Sequence, residues 1–156
     1  MSEREFSQRA MRCAPKLWRI AYLILRNGAD CDDAVQEALL RAWAHIGSLR
    51  DPALFETWLV RILVNECKDA LRRRRRDPVA LEADIGREDR LCEDLQLRLA
   101  LRQLPEKYRL PLVLHHLQGW PVADVAAMLG IPKALATSRL HQARKALRAL
   151  LDGGDD

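Results

Sequence analysis

Arg61, Asn65, Lys68 and Arg72 follow one another at intervals of three or four residues, and the series runs into consecutive arginines from Arg72 to Arg76. Residues at that spacing share one face of an α-helix. Arginine and lysine neutralise phosphates, while asparagine and arginine match the donor and acceptor patterns of base edges. Such a face suits nucleic acid, with Arg73 extending the phosphate-binding end. Trp58, one turn earlier, offers either a ring for stacking on an unpaired base or a large apolar side chain for the core.

A second set lies near the C-terminus. Lys133, Thr137, Ser138, Arg139, His141, Gln142, Arg144 and Lys145 fall on the polar side of a helix, opposite an apolar stripe of Leu135, Leu140, Ala143, Leu147 and Leu150. A short helical stretch and Gly130 precede it, the outline of a helix-turn-helix DNA reader. A third set, Asp32, Asp33, Gln36, Glu37 and Arg41, is acidic and polar. It would repel DNA, and suits either a protein partner or bare solvent.

Nothing in the chain points to catalysis. His45, His115, His116 and His141 have no nucleophile or metal ligand at useful spacing, and His115 and His116 suit a helix surface or domain packing. Cys13, Cys31, Cys67 and Cys92 are scattered without a C-x-x-C pair, as expected of small buried side chains in a reducing compartment. No cofactor, metal or enzymatic activity is expected.

The elements that must position these residues are all helical. Apolar side chains recur with a helical period throughout and no strand alternation stands out. Helices are expected over residues 3–26, with Pro15 a kink or break, from Asp30 or Asp32 to His45, and over residues 53–74. Asn27-Gly28 supplies the first stop. After a linker, further helices are expected over 91–103, 105–117 with a bend at Pro111, 121–129 and 132–151. The expected fold is all-α: two small helical domains, residues 1–76 and 91–152, joined by a flexible linker, 77–90.

Charge follows the same division. Residues 1–76 hold 15 basic and 10 acidic side chains, 77–98 hold 3 and 7, and 99–156 hold 8 and 5. Two basic blocks flank an acidic one. No apolar run of about 18 residues is present, and the charged N-terminus lacks the apolar middle of a secretory signal. A soluble intracellular protein is expected.

Two stretches resemble a known family. "DDAVQEALLRAWAHI" with "FETWLVRILVNECKDALRRRRR" is similar to region 2 of bacterial RNA polymerase sigma factors, and "LPEKYRLPLVLHHLQGWPVADVAAMLGIP" with "SRLHQARKALRALL" to region 4. The short two-domain layout resembles the extracytoplasmic-function (ECF) group of the sigma-70 family. The resemblance implies that the acidic face (Asp32, Asp33, Gln36, Glu37, Arg41) docks on the clamp helices of core RNA polymerase. It implies that the loop 47–54, including Arg50, and the start of the third helix capture a flipped base of the promoter −10 element. Trp58, Arg61, Asn65, Lys68, Arg72 and Arg73 would hold the melted edge, and the last helix would enter the −35 element.

A cytoplasmic location and a cognate anti-sigma factor follow from the same likeness, and the acidic linker would thread toward the RNA exit path. Where the group commonly has "GTVKSRLHRAR", this chain has "ALATSRLHQAR", which leaves fewer cations for phosphates. The alternatives are a helix-turn-helix regulator outside the sigma family, or a sigma-like interaction protein that has lost promoter recognition.

Overall fold

The computed structural model describes residues 1–76 and 95–153, all of whose regular elements are helical. The chain divides into two compact units, Met1–Asp84 and Ile85–Asp156. The linker expected over 77–90, the first turn of the helix expected from Leu91, and Cys92 lie outside the described residues.

In the first unit, α1 spans Glu3–Leu25, α2 Gly28–Ala44 and α3 Phe55–Arg76. Ser2 caps α1 by accepting from the Glu5 amide at 3.1 Å. The helix runs through Pro15 without a break. Pro15 and Met11 are both exposed, so the Met11 carbonyl that loses its intrahelical donor faces water. The stop falls one residue earlier than the Asn-Gly pair suggests: Arg26 takes the left-handed conformation at φ 57° and donates to Tyr22. Asn27 then caps α2 by accepting from the Asp30 amide at 3.1 Å, the role expected of Asp30 or Asp32.

The three helices pack pairwise around Leu17, Ile20, Tyr22, Ile24, Leu59, Val60, Leu63 and Val64, all essentially inaccessible to water. The inner face of α2 is built from small residues, Ala34, Ala38 and Ala42, which let it lie close to its neighbours. Cys31 and Cys67 are fully buried. Burial pushes the Cys31 thiol up to about 12, with the Asn27 backbone opposing, and raises Cys67 further. Both are inert packing residues, as expected.

Arg74 is not part of the phosphate-facing run. Its Nε and Nη2 both reach Asp30 Oδ2, at 2.9 and 2.6 Å, tying the end of α3 to the start of α2.

In the second unit, α4 spans Leu95–Gln103, α5 Glu106–Leu112, α6 Val122–Leu129 and α7 Lys133–Gly153. Pro111 lies inside α5, and the chain then widens into a π-turn over Val113–Leu117. This is the local distortion expected of a proline that removes a donor mid-helix. Gly119, at φ 80°, closes that turn, and Gly130, at φ 67°, ends α6. Leu101, Leu104, Leu112 and Ala143 form a core, with Leu97, Tyr108 and Leu147 packed against it.

Truncating the clasp measures its weight. Arg74→Ala leaves Asp30 facing a half-buried site alone and lowers the stability of the first unit by about 2 kcal/mol. Urea unfolding followed by tryptophan fluorescence reads this, since Trp18, Trp43 and Trp58 all lie in that unit.

Candidate nucleic-acid and polymerase interface

The segment between α2 and α3 is a held structure. Two short 3-10 turns, Ile46–Ser48 and Pro52–Leu54, form it. Ser48 Oγ donates to the His45 carbonyl at 2.7 Å, and Asp51 accepts from the Ala53 amide at 3.0 Å. From α1, Arg9 donates to the Pro52 carbonyl at 2.8 Å and lies over the Phe55 ring, and Lys16 pairs with Glu56 at 2.8 Å. Phe6 meets Phe55 edge-on and Trp43 at a tilt beneath. Arg50 is therefore presented, exposed, on a braced loop.

Beside this loop opens a cleft of about 340 Å³ lined by Arg41, His45, Ser48, Trp58, Arg61, Ile62, Asn65 and Glu66. Trp58 is half-buried, its ring 6.1 Å from that of Phe55, so it serves both core and cleft. Arg61 and Asn65 are exposed at the mouth. Lys68, Arg72 and Arg73 carry the row along α3, Arg72 in an exposed pair with Asp69 at 2.9 Å. The structure thus brings Trp58, Arg61 and Asn65 together and adds Arg41, which sequence spacing assigns to the acidic face.

Glu66 is the residue that sequence reasoning missed. Its side chain is 7% exposed, and its Oε1 lies 2.7 Å from Arg41 Nε, which also donates to Glu37 at 3.3 Å. Burial pushes the Glu66 carboxyl up, and the Arg41 guanidinium opposes this. The signal was a carboxylate next to Asn65, one residue before the buried Cys67 on the apolar side of the helix.

On the outer side of α2, Asp32, Asp33, Gln36 and Glu37 are exposed. Asp32 is anchored: it accepts from Trp18 Nε1 at 2.9 Å, and Trp18 stacks on Tyr22. Leu40, 62% exposed, adds an unforeseen apolar spot one turn beyond Gln36 and Glu37.

In the second unit, α7 buries Ala136, Leu140 and Ala143. Leu135, expected inside, is exposed. It lies five residues before Leu140, well off the buried stripe, and Ala136 takes the inner position. Helical geometry sets Ser138, His141, Gln142 and Lys145, all exposed, opposite the core. Lys133 and Thr137 are exposed to one side and Arg139 is half-buried on the other. The Thr137 hydroxyl donates to the Lys133 carbonyl at 3.0 Å.

Arg144 is turned toward the π-turn, its Nη1 3.0 Å from His116 Nε2. A guanidinium only donates, so His116 accepts and is neutral there. Desolvation pushes the His116 ring down, helped by His115 and Arg144. His115 lies 2.8 Å from the Trp120 carbonyl through Nδ1 and braces the turn into α6.

No group of three potential metal ligands occurs among the described residues, and no described helix is long and apolar enough to cross a membrane. One unit with an acidic face and a basic cleft, and another built as a helix-turn-helix, define a two-part DNA-binding protein. Residues 10–77 match the Sigma-70 region 2 family and residues 94–147 match Sigma-70, region 4. The chain is 37% identical over 150 residues to the ECF RNA polymerase sigma factor SigM of Mycobacterium tuberculosis, covering 94% of this chain and 76% of SigM. It is 30% identical to SigW of Bacillus subtilis, covering 87% and 83%.

Among solved structures, it is similar to the sigma factor RpoE in complex with the anti-sigma factor NepR from Bartonella quintana, with TM-score 0.78 and 28% identity over 95% and 97% of the chains. It is also similar to CnrH in complex with the cytosolic domain of CnrY, with TM-score 0.77 and 28% identity over 97% and 90%. The chain belongs to the sigma-70 family of RNA polymerase sigma factors, in its ECF group. It is a transcription initiation factor that works on core RNA polymerase, not an enzyme.

Glu66 gives a pH signature. A carboxyl whose folded value is raised above the ordinary 4.5 contributes most favourably below that value, and the contribution is lost as pH rises through the folded value. Glu66→Gln therefore gains stability relative to the wild type as pH rises above the ordinary carboxylate value, and the gain levels off once the buried carboxyl is ionised. Urea unfolding at a series of pH values measures the gap.

Proposed function

We propose that the chain divides its work as follows. Residues 1–76 dock on core polymerase and open the −10 element, residues 77–90 link, and residues 91–152 hold the −35 element. The acidic outer side of α2 (Asp32, Asp33, Gln36, Glu37), with Leu40 as an apolar contact, seats on a basic surface of the polymerase. The cleft between the braced loop and α3 receives a base flipped from the −10 element, with Trp58 stacking and Arg61 and Asn65 at the mouth. Arg50, Lys68, Arg72 and Arg73 run along the backbone phosphates. The observation that supports this reading best is the cleft itself, which opens at the head of a basic row and is framed by an aromatic, two guanidiniums and an amide.

Strand opening then needs no covalent chemistry. A captured base offsets the cost of unstacking, a few kcal/mol per base, and the opening is held rather than driven. In the second unit, Ser138, His141, Gln142 and Lys145 face the major groove, with Lys133, Thr137, Arg139 and Arg144 toward the flanking phosphates. The start of α7 places Leu135 and Thr137 where the group commonly has threonine and lysine, and the Thr137 hydroxyl is bonded within its own helix. Phosphate grip at the −35 element is correspondingly light, and promoter choice leans on the −10 cleft.

The protein acts in the cytoplasm, where its template and polymerase are. An anti-sigma factor restrains it by covering the docking and DNA faces. Both similar solved structures are complexes named with such a partner or with a partner's cytosolic domain.

In vitro transcription with core polymerase on a promoter library tests the reading. Transcripts should appear only when this chain is added, and binding to duplex DNA without any polymerase-dependent transcript would favour a plain helix-turn-helix regulator. The double charge reversal Asp33→Lys, Glu37→Lys weakens binding to core polymerase at least about tenfold, and more so at low salt. Unchanged affinity in a competition assay would move the docking face elsewhere. Lys133→Ala lowers −35 affinity about equally for all sequences and reduces the salt slope by about one, read by anisotropy over a salt series.

A further inference from the structure

A buried acid in a basic DNA-binding cleft calls for a physical reason. Glu66 is the one acid among the described residues lining the cleft, where its neighbours are Arg41, Arg61, Asn65, His45 and Ser48. Its side chain is 7% exposed, whereas the guanidinium it faces belongs to a side chain 56% exposed. Burying a carboxylate costs several kcal/mol unless it is well partnered. A half-solvated arginine returns little of that cost. If the cleft served only to attract the DNA backbone, a neutral residue would do better, because a carboxylate repels phosphates. Glu66 is therefore suited to a hydrogen-bond donor brought by the ligand.

On the reading of the cleft as a base-capture site, the donors a captured nucleotide brings are those of its base edge. Cytosine, adenine and guanine each carry an exocyclic amino group there. Thymine instead flanks its one ring N–H with two carbonyl oxygens. A carboxylate accepts from an amino group and is repelled by a carbonyl. The Arg41 guanidinium, 2.7 Å away at Nε, supplies donors for the acceptor beside that amino group. We propose that Glu66 selects the captured base: it accepts from an exocyclic amino group and excludes thymine, with Arg41 donating alongside.

The test transcribes a promoter library, randomised across the −10 element, with core polymerase and the full-length chain, and sequences the transcripts. One −10 position should be depleted of thymine about tenfold or more, the scale of a single good base contact. Glu66→Gln, whose amide both donates and accepts, should restore thymine at that position alone and leave preferences elsewhere as they were. Unfolding of the variant, followed by its tryptophan fluorescence, confirms that it is folded.

If no position excludes thymine, or if the exclusion survives Glu66→Gln, the proposal is overturned. A uniform loss of output over all sequences also overturns it, leaving Glu66 as no more than a counter-ion for Arg41. Trp58→Ala and Arg61→Ala separate this from the cleft reading beneath it. If they lower transcription from duplex promoters more than from pre-opened ones, the cleft captures a base whatever Glu66 does. If they do not, base capture in this cleft fails, and the role of Glu66 with it.

Discussion

The pairing of α2 with α3 is the constraint on which the first unit depends. Two ion pairs span it, Asp30 with Arg74 and Arg41 with Glu66, and between them the alanines of α2 meet the leucines and valines of α3. Every proposed function of this unit is mounted on that pair. The acids project from the outer side of α2, the cleft opens where α2 gives way to the loop, and the basic row runs down α3. The pair also explains why a run of five arginines is not a uniform cationic tail. Arg74 is spent on structure, with its side chain 11% exposed, while Arg72 and Arg73 remain outside.

Much of this was legible in the residues because helical period and patterning agree over long stretches. The all-helical architecture follows from spacing that only a 3.6-residue period satisfies, and the division into two units from the stretch where that period breaks. What escaped was decided by contacts between elements. Glu66 sits one residue from Asn65, and no local rule says that it turns inward to meet an arginine from another helix. Arg41 reads as part of the acidic face because its neighbours in sequence are acids, yet its guanidinium reaches across to α3. Leu135 and Ala136 differ by one residue in phase, and the chain packs the smaller one, which a hydrophobicity count cannot foresee. The left-handed Arg26 was invisible for a related reason: a following Asn-Gly pair is the stronger stop signal, but here the asparagine is needed as a cap.

The second unit shows the same economy. Pro111 breaks the regular ladder of its helix, and the widened turn that follows aligns His115 and His116 toward different partners, the Trp120 carbonyl and Arg144. One side of the turn thus fixes the entry into α6, and the other steadies α7 from outside its buried stripe. The helix-turn-helix geometry is held by polar contacts from a proline-induced irregularity as well as by its leucine core.

Arg41 Nε stands between two carboxylates, Glu37 on the outer face and Glu66 on the inner. A cation arriving from outside competes with it for Glu37, and the displaced guanidinium has Glu66 close by to lean on. A single side chain is thus shared between the outer acids of α2 and the wall of the cleft.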